Sequence, residues 1–105
     1  MAIKTFDEFW PYYVRAHSKL PTRVLHAIGS LLALACVAAG IFVSAWWFLG
    51  APLIGYAFAW YSHFFVEHNK PATFGHPLFS LAADYVMLWK TLTGSMGAEV
   101  ARYCR

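Results

Sequence analysis

Charged side chains are scarce in this sequence. Lys, Arg, Asp and Glu supply 12% of its 105 residues, against 60% hydrophobic, a balance far from the quarter or so of charged residues that a water-soluble domain carries. None of that charge falls between Val24 and Val66. Cysteine is also rare: Cys36 and Cys104 share no ligand spacing, so neither a disulfide framework nor a zinc finger is expected. The start, "MAIKTFDEFWPYYVRAH", has early acids, no apolar h-region and no small-residue cleavage site, and does not read as a signal peptide. Internal repeats, low-complexity tracts and linkers are missing too, and the length suits a single domain over residues 1–105.

What is present is long apolar sequence. "VLHAIGSLLALACVAAGIFV", Val24 to Val43, is uncharged over about the 20 residues that a helix needs to cross a bilayer. A second run, "APLIGYAFAWYSHFFV", Ala51 to Val66, is slightly short, and "WWFLG" before it supplies the missing turns. The two predict a transmembrane hairpin turning near Gly50 and Pro52. All eight Lys and Arg lie outside it, so the positive-inside rule puts both termini in the cytoplasm, and the expected location is a bacterial inner membrane. Contact with membrane lipid accounts for the net charge of +3, and no aromatic-basic pattern for nucleic acid is present.

Two segments flank the hairpin. In "TFDEFWPYYVRAH", Thr5 and Glu8 form a capping-box pattern, and Phe6, Phe9, Trp10 and Tyr13 make an apolar stripe at helical spacing. This predicts an interfacial helix with its aromatics at headgroup depth, starting late or kinking at Pro11. After Pro77, "LFSLAADYVMLWKTLTG" predicts a helix, amphipathic or spanning, that ends near Gly94. The expected fold is therefore all-α, an integral membrane helical bundle with helices near 5–18, 22–44, 51–68 and 77–94.

Polar residues cluster where the hairpin should end. "WYSHFFVEHNKPATFGHP" carries His63, Glu67, His68, Asn69 and His76, while His17 and His26 precede or open the first long run. A hairpin begins and ends on one side of the membrane, so all five histidines converge there. His63 and Glu67, four apart, share a helix face at about 6 Å between Cβ atoms, a separation that one metal ion bridges. Imidazoles with a carboxylate suit Fe(II), Zn(II) or Mn(II), and two histidines with one carboxylate suit non-haem iron and O2. The candidate ligands and catalytic groups are His17, His26, His63, His76 and Glu67, with Tyr13, Asn69 and Asp84 as partners that hold a ring tautomer. His68 points away from the pair. Arg15, Lys19, Arg23 or Lys70 are candidates for holding a substrate carboxylate. Two other classes stay open: a haem protein using two facing histidines, and a non-catalytic metal-binding or scaffold protein in which they only pack.

"FWPYYVRAH", "PTRVLHAIG" and the block H-x-x-x-E-x-N-x-P-A-T-x-x-H-P, His63 to Pro77, closely resemble a small membrane-protein family once catalogued as a domain of unknown function, which includes the yeast 2-hydroxy fatty acid dioxygenase. The resemblance runs from about Phe6 to Gly94. It implies Fe(II)-dependent alpha-oxidation, in which a 2-hydroxy fatty acid and O2 give a product one carbon shorter. Carried over residue by residue, the family's histidines fall on His17, His26, His63 and His76, and His68 is not among them.

Overall fold

The computed structural model describes residues 3–71 and 75–104. All regular structure among them is helical: α1 (Phe6–Ala16), α2 (Leu20–Phe42), a 3-10 turn (Ala45–Leu49), α3 (Gly50–Ser62), a π turn (His63–Glu67), α4 (Pro77–Leu92) and α5 (Met96–Tyr103). The positions Ala72 and Thr73 of the P-A-T motif lie outside the described residues.

α1 begins where its capping box says. The Thr5 hydroxyl accepts from the Glu8 backbone N–H and the Glu8 carboxylate accepts from the Thr5 N–H, both at 3.2 Å, which satisfies two of the otherwise orphaned groups at the terminus. The helix does not start late, and Pro11 lies inside it. Its aromatic stripe packs on protein. Phe9, Trp10, Tyr13 and Val14 are buried against Ala83 and Met87 of α4 and Met96 of α5. Burying each large apolar side chain of this kind contributes roughly 1.5–3 kcal/mol, so this cluster is where α1, α4 and α5 are held together. α5 lies beyond the four helices expected from the sequence; its Glu99 accepts from the Trp10 indole N–H at 2.7 Å and ties the C-terminal helix to α1.

α2 is the one helix among the described residues long and apolar enough to cross a membrane. Its buried positions, Thr22, His26, Gly29, Ala33, Cys36 and Gly40, follow a strict four-three alternation, the seam of two helices packed at a shallow angle. Apart from His26 the seam is small, while Val24, Ile28, Leu31, Leu32, Leu34 and Val37 face outward and are exposed. Only a third of the apolar window is covered by protein.

The seam packs on α3, which runs back antiparallel. A Cβ built on Gly29 would meet the Phe58 Cβ at 2.7 Å, Gly55 lies level with Ala33, and a Cβ on Gly50 would meet the Cys36 sulfur at 2.9 Å. Glycine at Gly29 thus lets two backbones approach as closely as small-residue seams allow. The helical hairpin is present, and its second arm runs close to the expected bounds: α3 spans Gly50–Ser62 and the π turn carries the winding on to Glu67. α4, about 24 Å of helix at 1.5 Å per residue, is shorter than a bilayer core.

Candidate metal centre

Three histidines from three elements meet at the end of the hairpin. His17 ends α1 as its C-cap, His26 sits in the second turn of α2 on the packed seam, and His63 opens the π turn that finishes α3. All three are buried, at 0, 5 and 2% exposure. Their ring centroids lie 4.4, 4.5 and 5.3 Å apart and the ring planes cross at 79–87°, so the imidazoles surround one point from three directions. One ligand atom from each lies within 4.8 Å of the others.

The outer nitrogens are spoken for. His17 Nδ1 lies 2.7 Å from the Tyr13 carbonyl, which can only accept, so Nδ1 carries the proton. His63 Nδ1 lies 2.7 Å from Asn69 Oδ1; the amide orientation is set because Asn69 Nδ2 donates to the Ala16 carbonyl at 3.2 Å. His26 Nδ1 faces Asp84 Oδ1 at 3.7 Å, and that carboxylate also accepts from the Tyr13 hydroxyl at 2.5 Å. In His17 and His63 the proton is thereby held on Nδ1 and the Nε2 lone pair is left to bind elsewhere. Nε2 of His17 and of His26 is buried without a hydrogen-bond partner, a costly state for a polar atom unless something else binds it. Burial, reinforced by the two neighbouring histidines, pushes the His17 pKa well below its usual value and keeps the ring neutral, the form that coordinates a metal.

Three neutral imidazoles fit a divalent transition metal, for which Fe(II) and Zn(II) are both suitable by donor type. The carboxylate of the expected set lies elsewhere. Glu67 accepts from the Lys19 backbone N–H at 2.7 Å, the Thr22 hydroxyl at 2.7 Å and the Ser18 hydroxyl at 3.0 Å. Lys19, the N-cap of α2, has no side-chain cap of its own, and Glu67 supplies one from across the hairpin, its charge at the positive end of the helix dipole. The four-residue spacing of His63 and Glu67 falls in a π turn, whose wider winding separates the two side chains: one faces the centre and the other the start of α2.

His76, the N-cap of α4, also stands outside the trio, its ring 5.4 Å from that of Phe9. His68 is exposed and left-handed, with φ of 62°, where it ends the π turn. Of the basic candidates, Arg23 donates to the carbonyls of His17 and Ser18 at 2.9 and 2.7 Å, and Lys19 to that of Val66 at 3.0 Å, so both hold the two chain crossings together. Tyr13 does more than face Asp84: its ring stacks on His17 at 4.0 Å, a contact that the four-residue spacing within α1 already implied. Ser18 and Thr22, the partners of Glu67, carried no signal in the sequence beyond their place near Pro21 at a helix start.

No curated protein and no solved structure matches the chain. One family model does, described as 2-hydroxy-palmitic acid dioxygenase Mpo1-like, over residues 3–96. That span includes every residue of the histidine trio and every group that orients it, and the chain belongs to the Mpo1-like family.

Proposed function

We propose that the protein is a membrane-embedded, Fe(II)-dependent dioxygenase that shortens 2-hydroxy fatty acids by one carbon. The observation that carries the reading is the convergence of the buried His17, His26 and His63, with Nε2 of His17 and of His26 left without a protein partner. The family description names 2-hydroxy-palmitic acid and a dioxygenase activity, which supports both the substrate class and the use of O2. Bound at these three histidines, Fe(II) would supply the redox chemistry that O2 requires and that Zn(II), with a filled d shell, lacks. Because all three donors are neutral, the site keeps its full positive charge for an anionic ligand that offers two oxygens, as a 2-hydroxy carboxylate does. Asp84 and Asn69 hold the rings in register.

The outward face of α2 supports membrane residence. Large apolar side chains are exposed along its whole length while small ones pack inward, the reverse of a soluble helix and the pattern of helices solvated by lipid. The haem alternative is disfavoured by the geometry. His26 and His63 stand at 87° with His17 close to both, instead of facing each other across a flat macrocycle.

The test is turnover by detergent-purified protein with Fe(II) and O2. A long-chain 2-hydroxy fatty acid should yield the acid one carbon shorter, the same chain without the hydroxyl should not react, and Zn(II) should occupy the site without turnover. Product formation with Zn(II) in the absence of O2 would instead establish a hydrolase or lyase.

A further inference from the structure

A groove of about 250 Å³ runs between α2, α3 and α4, and His26 and Asp84 lie on its wall. From there it passes Ala33, Gly55 and Ala59 toward Ala51 and Pro52. Because α2 and α3 are antiparallel, with Ala33 level with Gly55, the histidine end and the Pro52 end are opposite ends of the groove. Along α3, Ala59 to Ala51 is eight residues, about 12 Å of helix.

Two features point to an occupant. His26 is buried at 5% exposure and borders this space, so the groove adjoins the histidine trio. The second is Gly55. A Cβ on Gly29 or Gly40 would strike Phe58 or Phe48 at 2.7 and 2.6 Å, so those glycines are required by packing. A Cβ on Gly55 would meet nothing nearer than the Ala33 Cβ at 3.8 Å. The helix pair therefore does not need a glycine there, and what its smallness provides is room in the groove.

We propose that this groove is the channel for the alkyl chain of the substrate, and that Gly55 and Ala33 determine how much chain it admits. The inference rests on the dioxygenase reading, since it takes the polar head of a 2-hydroxy fatty acid to lie at the histidine trio. The walls beyond His26 and Asp84 are mostly apolar, which suits methylenes, and the remainder of a long chain leaves past Ala51 and Pro52.

The experiment uses the full chain in detergent and a 2-hydroxy fatty acid bearing a photoreactive diazirine at mid-chain, with labelled peptides located by mass spectrometry. Labelling should fall within Ala51–Tyr56 in the wild type. Gly55→Leu should remove it and raise KM for long-chain substrate by about tenfold or more, with a smaller effect on kcat. Leu53→Ala, on the outer face of α3 at 71% exposure, should change neither. Wild-type labelling confined to other segments overturns the channel, and this result requires no variant to fold. So does a folded Gly55→Leu protein with unchanged KM and labelling. If labelling maps to Ala51–Tyr56 while Fe(II) and O2 give no turnover, the dioxygenase reading fails and a chain-binding groove remains.

Discussion

His17, His26 and His63 each turn Nδ1 to a protein oxygen, and Nε2 of His17 and of His26 has no partner. Removing one of them takes away a bond to the metal, whereas removing a group that only orients a ring costs 10 to 100-fold in affinity or activity, roughly. His26→Ala or His63→Ala should therefore abolish iron retention, Asn69→Ala should weaken it within that range, and His68→Ala should spare it, as read by elemental analysis. Equal, mild losses at all five histidines would count against a single centre. Glu67→Gln belongs to a different class. It should retain iron and lower stability by about 0.5–2 kcal/mol, the usual worth of a helix cap, seen as a fall in Tm. The lowered pKa of His17 carries a pH dependence of its own. The unfolded chain takes up this proton near pH 6.5 and the folded chain only at lower pH, so the contribution of His17 to stability is complete above about 6.5. It is lost as pH falls from there through the native pKa. Thermal unfolding of metal-free protein should show a Tm falling on the acid side of that point, and a Tm rising there would contradict a buried neutral ring.

At the scale of elements, the α2–α3 pair separates two kinds of glycine. Gly29 faces the Phe58 Cβ at 2.7 Å, and Gly29→Ala forces the backbones apart, with an expected loss of about 1–3 kcal/mol. Gly55 has room for a methyl group, and glycine in a helix interior is less favourable than alanine by roughly 0.5–1 kcal/mol, so Gly55→Ala should stabilise the fold by up to that amount. Denaturation of both variants in the same detergent measures the contrast, and a destabilised Gly55→Ala would mean that the groove face is already filled by packing. The π turn is the other element with a specific task. By widening the winding after Ser62 it points His63 at the centre and Glu67 at the start of α2, two partners that an unbroken α-helix would leave competing on one face.

For the molecule as a whole, we propose a bilayer around α2, from its exposed apolar surface, with both termini on the cytoplasmic side, from the charge distribution. A cysteine placed at Ser44, between α2 and the 3-10 turn, should react with an impermeant thiol reagent from the periplasmic face of intact cells. Reaction only after permeabilisation would reverse the orientation.

Much of this was legible in the sequence. Helix positions followed from uncharged runs and from the Thr5–Glu8 cap, because these are local features that the chain carries wherever it folds. The gathering of histidines at one end followed from topology, since a hairpin must bring its two ends together. Which of them meet was decided by tertiary structure. Periodicity assigned Glu67 to the face of His63, but the open N-terminus of α2 offered that carboxylate stronger partners in Lys19 N–H and Thr22 than spacing along one helix can express. Likewise the packing of the α1 aromatic stripe on α5 was not legible, because α5, with Met96 and Glu99, is too short and too polar to announce itself. Local sequence determines which side chains an element presents. Only the packing of elements distant in the chain determines what each of those side chains faces, and here that packing brings three buried imidazoles to one point and leaves Nε2 of His17 and His26 without a partner.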